Sequence, residues 1–179
     1  AKRLSTLLKQ EISADSAATV RARMLAAKAL VPQCAIASML RTVCNAWTTS
    51  GRFSGPTAPC PFGCGAPEGD RFLHFPSCTS LREMWGAACP GALNFINGLS
   101  ANIVTLTSTT MSSDEVVQAI LWSDVVGQCC NDARANLPPR MVMGESGGNM
   151  IIARLRFLGV QCDHTRFLIR RMRSLFLDV

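Results

Sequence analysis

The chain has no tyrosine, only two histidines and few charges, with Asp, Glu, Lys and Arg making up 17% of its 179 residues. Each shortage excludes something. No nucleophile–base pair, paired carboxylates or phosphate-cradling glycine loop stands out, so the chain reads as no enzyme. No uncharged apolar run reaches the about 18 residues of a membrane-spanning helix. The nearest approach, residues 24–40, is broken by Lys28 and Pro32. The nine cysteines are an odd number, against a secreted disulfide scaffold and for an intracellular reducing compartment such as cytosol, nucleus or an organelle interior. The first residue is Ala1, which reads as a processed or truncated product.

What is present centres on Cys60 to Cys78, CPFGCGAPEGDRFLHFPSC. Its spacing, Cys60-x3-Cys64-x9-His74-x3-Cys78, offers four soft or borderline ligands in two close pairs. That order suits one tetrahedral zinc ion. Gly63 and Gly65 let the first pair turn tightly, and the three residues between His74 and Cys78 fit a turn or one helical turn. With all four positions taken by protein, the zinc is structural and contributes folding energy rather than chemistry. Cys162 and His164 are too few for a second site. Phe62, Phe72, Leu73 and Phe75 supply a small core around the metal.

At these residues the chain resembles the zinc-binding region that follows the polymerase domain in reverse transcriptases of non-LTR retrotransposons. The resemblance covers roughly residues 20–90. It rests on the helical run 22–47, the cysteine turn, the acidic positions Glu68 and Asp70, the His-x3-Cys pair and a closing helix over 81–85. No Ala/Val-Asp-Asp polymerase motif is present, and Asp124, Asp132 and Glu145 lack the partner lysine of a restriction-like nuclease. The resemblance therefore implies the non-polymerase end of such a protein, or a descendant that kept only that end, facing RNA.

The net charge of +6 is uneven. Residues 1–31 and 154–179 are basic, while 32–153 are slightly acidic. Basic ends suit a polyanion, usually nucleic acid. The candidate contacts are Arg52 and Phe53 before the metal segment, Arg71 within it, and Arg166, Arg170, Arg171 and Arg173 on a basic C-terminal helix. Arg21, Arg23 and Lys28 read as phosphate contacts or, preferably, as a solvated helix face. A mean hydropathy of +0.20 fits either an alanine-rich helical protein or one with surface covered by a partner.

The expected fold is mostly α, with five to six helices around one structural zinc knuckle. Residues 1–50 form an N-terminal helical segment, 51–90 a zinc-knuckle module packed on it, and 91–137 a central helical segment. Residues 138–149 are a Pro/Gly-rich linker, and 150–179 a basic amphipathic helix. The apolar residues Ile36, Met39, Leu40, Val43 and Trp47 form one expected core stripe. Ser112-x-x-Glu115 is a capping box opening a helix, and 103–110 reads as extended chain or loop. The functional expectation is a non-catalytic, zinc-stabilised, RNA-binding module without a small-molecule substrate. The alternative is a structural subunit of a large ribonucleoprotein or organellar assembly, with protein partners. Steep salt dependence of binding would separate the first from the second.

Overall fold

The computed structural model describes residues 2–8, 11–50, 56–136, 145–162, 165, 166 and 169. Its architecture is helical, and the described residues contain no strand. In chain order the α-helices are α1 (Lys2–Leu8), α2 (Ala14–Ala27), α3 (Gln33–Val43), α4 (Thr79–Ala88), α5 (Leu93–Asn97), α6 (Ala101–Val104), α7 (Ser113–Asn136) and α8 (Glu145–Gln161). Short 3-10 helices cover Phe72–Ser77 and Pro90–Ala92. The expected five to six helices correspond to the longer elements; α5 and α6 add single turns.

The helix starts follow local chemistry. Ser13 caps α2 by accepting from the Ser16 amide at 3.1 Å. At α7 the capping box is complete. The Ser112 amide donates to Glu115 Oε2 at 2.7 Å, and the Glu115 amide donates to Ser112 Oγ at 3.2 Å. Ser100 caps α6 through the Ile103 amide at 3.3 Å. The apolar, β-branched stretch that follows therefore enters one helical turn before becoming loop.

α7 is the central element. Ile120, Leu121, Trp122, Val125 and Val126 are all buried, so the helix is covered on every side over its middle turns. α2, α3, α6 and α8 pack around it, and α8 also lies against α4. The C-terminal end of α8 is tied to the α2–α3 connection, where the Leu30 carbonyl accepts from Thr165 Oγ1 at 2.9 Å and Cys162 Sγ at 3.3 Å.

Four expectations need correction. Leu40 is 49% exposed: of the expected stripe α3 buries Met39 and half-buries Ile36 and Val43, and it also buries Ala35 and Thr42, because its neighbours, α7 foremost, cover that face and leave Leu40 outward. Trp47 is buried but stands beyond the end of α3. α8 begins at Glu145, inside the stretch read as linker; it carries Gly147 and Gly148 in its first turns despite their poor helix propensity, and these are what made the stretch read as linker. Arg23 is no solvated charge: its guanidinium donates to the carbonyls of Leu106 and Ser108, both at 2.7 Å, and clamps the loop after α6. That loop needs the clamp, because Leu106 is buried with a φ of 61°.

Candidate metal centre

The chain approaches the first ligand pair through a tight loop. The Gly63 amide donates to the Cys60 carbonyl at 3.0 Å, and the Cys60 amide donates to the Ala66 carbonyl at 3.1 Å. Two left-handed residues make this turn possible, Gly63 (φ 71°) and Gly65 (φ 84°). Gly69 is needed for a different reason: a Cβ there would stand 2.5 Å from the Cys60 Cβ. The loop thus passes directly against the backbone of a ligand.

The second pair sits on the 3-10 helix Phe72–Ser77 and its exit. The His74 amide donates to the Arg71 carbonyl at 3.0 Å, and the Cys78 amide to the Phe75 carbonyl at 3.2 Å. Cys78 is also the N-cap of α4, a ten-residue helix. Neither Thr79 nor Ser80 caps this helix; it starts at Thr79 itself.

These elements bring together the four residues expected from the spacing. The Sγ atoms of Cys60, Cys64 and Cys78 and one ring nitrogen of His74 all lie within 4.8 Å of one another, a group that could hold a metal ion. Cys60 Sγ is 3.7 Å from Cys78 Sγ, and Cys64 Sγ is 3.2 Å from His74 Nε2. Cys60 and Cys78 are buried; Cys64 and His74 are half-buried. Without a cation, the Cys78 thiol hydrogen-bonds the Cys60 sulfur, which lowers the Cys60 pKa to about 5 and pushes that of Cys78 up. Two sulfurs this close share one proton, and a cation between them would displace it.

The centre is fused to the helices by apolar and polar ties. Phe62, Phe72 and Phe75 are buried beneath it, while Leu73 is half-buried. Trp47 packs edge-on against Phe72 at 5.2 Å between ring centroids, and Phe62 meets Phe75 edge-on at 5.6 Å. Asp70, 5% exposed, supplies the polar tie. Its carboxylate accepts from the Ser50 amide at 2.8 Å and forms an ion pair with Arg134 of α7. The sequence marked Asp70 only as an acidic position; its partner lies 64 residues away, so spacing could not reveal the pair.

The other expected site residues are dispersed. Arg71 adjoins the metal loop, but its guanidinium pairs with Glu68 and donates to Thr57 Oγ1 at 3.0 Å. Arg166, just beyond α8, donates through Nε to the Gly159 carbonyl at 2.9 Å. Arg52, Phe53, Arg170, Arg171 and Arg173 lie outside the described residues. A second polar cluster was missed as such. Asp124, 3% exposed, accepts from Arg154 Nε at 2.7 Å and Nη2 at 3.1 Å, and from Ser38 Oγ at 2.6 Å. It joins α3, α7 and α8, and its hydrogen bonds raise the Arg154 pKa.

No protein-family model, curated protein or solved structure matches the chain. Among the described residues, no helix is long and apolar enough to cross a membrane.

Proposed function

We propose that the chain is a non-catalytic, zinc-stabilised module that associates with nucleic acid, RNA foremost, in a reducing compartment. The observation that carries this reading is the convergence of three thiols and one imidazole within 4.8 Å. Zinc bonds to sulfur at about 2.3 Å and to histidine nitrogen at about 2.0 Å, so a tetrahedral site has S–S edges of about 3.8 Å and S–N edges of about 3.5 Å. The 3.7 Å and 3.2 Å separations lie close to these edges. Thiolate donors favour zinc over magnesium or calcium, which take oxygen ligands. Four protein ligands leave no open position, which supports a structural role.

Magnitudes decide how much depends on the metal. A structural zinc contributes about 10–16 kcal/mol in small zinc-finger peptides. A whole domain is stable by about 5–15 kcal/mol. The metal is therefore large enough to determine whether the segment from Ala58 to Ala88 folds. The net charge of +6 and its concentration at both ends support a polyanionic partner, as does the similarity to the retroelement tail.

A second reading, a structural subunit of a large assembly, is favoured by two surface residues. Leu25 is 61% and Leu40 49% exposed, and a protein partner would cover them. Zinc content and binding of single-stranded RNA across a salt series, on wild type and Cys64→Ser, separate the two. One zinc per chain with affinity falling steeply as salt rises supports the nucleic-acid module. One zinc with no RNA binding favours the assembly subunit. No zinc removes the organising element of both.

A further inference from the structure

Beyond the metal centre, α3, α7 and α8 enclose an open cavity of about 240 Å³. It is smaller than the about 300–1,000 Å³ that buries a drug-sized ligand, so it suits one planar group rather than an extended one. One wall is Trp47, whose ring atoms come within 3.7–4.0 Å of where a side chain on Gly127 would begin. The indole thus packs against α7 at ordinary contact distance.

The charges facing the cavity favour an anion. Three arginines line it, Arg41, Arg134 and Arg154, against one acid, Asp124, which pairs with Arg154; outside the lining, Asp70 pairs with Arg134 and Asp132 accepts from Gln128. Arg41, exposed on α3 at the cavity edge, makes no ion pair among the described residues. The neutral polar lining offers both halves of a base-pairing edge. Gln128 donates its amide nitrogen to Asp132, and Asn131 accepts from Thr48 through its amide oxygen. This leaves an acceptor on Gln128 and a donor on Asn131, three residues and close to one turn apart on α7. Ser123 also lines the cavity; it is fully buried and its hydroxyl has no hydrogen-bond partner. A buried hydroxyl left so is costly unless something else satisfies it. Arg154 of the lining lies 4.7 Å over the ring of Phe157, itself 47% exposed and outside the cavity. An arginine stacked on an exposed aromatic is a surface on which a neighbouring base can lie.

We infer that this cavity is a subsite for one unstacked nucleotide. The base enters against Trp47 and is read by Gln128 and Asn131, and the phosphate meets Arg41. The inference deepens the nucleic-acid reading by giving it a specific seat. It also gives the metal a functional consequence, because Trp47 packs on Phe72 and Arg134 pairs with Asp70. Two cavity walls are thereby held by the metal module.

The same chemistry could arrive as a nucleotide within an RNA strand or as a free nucleoside monophosphate. The test uses the full metal-loaded chain with two probes, a short mixed-sequence single-stranded RNA and AMP, with inorganic phosphate as competitor. The variants are Arg41→Gln and Ala37→Trp, the latter at an exposed position of the lining, with helix content and metal stoichiometry as folding controls. Loss of a charge-assisted contact is expected to weaken RNA binding about ten- to a hundredfold in Arg41→Gln. Obstruction of the mouth should weaken it at least as much in Ala37→Trp. AMP should compete where phosphate at equal concentration does not. RNA affinity unchanged in both folded variants overturns the subsite and leaves the RNA reading standing. AMP binding lost in Ala37→Trp without any RNA binding keeps the subsite and overturns the RNA reading. Phosphate competing as well as AMP shows that no base is read and overturns the subsite. Binding of neither probe by wild type overturns both.

Discussion

Single side chains here carry more than their own packing. Asp124 satisfies Ser38 and two nitrogens of Arg154, so one carboxylate fixes three helices. Asp124→Ala leaves the partly buried Arg154 guanidinium without its counter-charge and Ser38 without its acceptor, and is expected to cost about 1–3 kcal/mol. The urea midpoint should fall accordingly, and a midpoint unchanged within error would contradict the role given to the cluster. Cys129 gives a pH signature at the same scale. Burial pushes its pKa up from 9.0 to about 12, so the folded chain keeps a proton that the unfolded chain loses. The sign follows: stability is undiminished below pH 9 and falls as pH rises from 9 toward 12. Urea midpoints measured on both sides of pH 9 should drop more in wild type than in Cys129→Ala. Arg23 shows what residue identity alone conceals. Its three carbonyl partners lie in a loop more than eighty residues away, and helix periodicity carries no trace of them.

At the scale of elements, the turn before the metal and the helix after it depend on different constraints. Gly65 has a φ of 84° with open space around it, so Gly65→Ala should cost only left-handed strain, about 1–2 kcal/mol. Gly69→Ala would instead press on Cys60 and displace a ligand. Competition with a chelator should therefore show weaker metal affinity in Gly69→Ala than in Gly65→Ala; the reverse order would contradict the loop geometry. Ser112→Ala removes half of a complete capping box and should lower stability by about 1 kcal/mol, read from thermal melting. The capping box and the Cys-Cys-His-Cys spacing were legible because both are local, their partners falling within nineteen residues or fewer of the chain. The faces of α3 and α7 were not. Leu40 continues an apolar stripe yet faces solvent, and the capping box that opens α7 does not show that its middle turns are buried all round. Which face is covered depends on neighbours supplied by distant segments, and hydrophobic periodicity cannot express that.

For the whole molecule, the claim is that a metal ion holds the segment between α3 and α4 to the central helix. Three features connect the centre to the rest: the Trp47–Phe72 contact, the Asp70–Arg134 pair, and Cys78 at the head of α4. Metal removal should therefore loosen α4 and the α3–α7 cavity as well as the loop. Chelation is expected to reduce helical circular dichroism and shift Trp47 fluorescence together, whereas a metal serving only its own loop would leave both almost unchanged. The most direct measurement is X-ray absorption at the zinc edge on the purified chain, with the metal quantified in the same sample. The account predicts one zinc per chain, with three sulfurs at about 2.3 Å and one nitrogen at about 2.0 Å. Absence of stoichiometric zinc, or a shell with oxygen in place of these sulfurs, would contradict it.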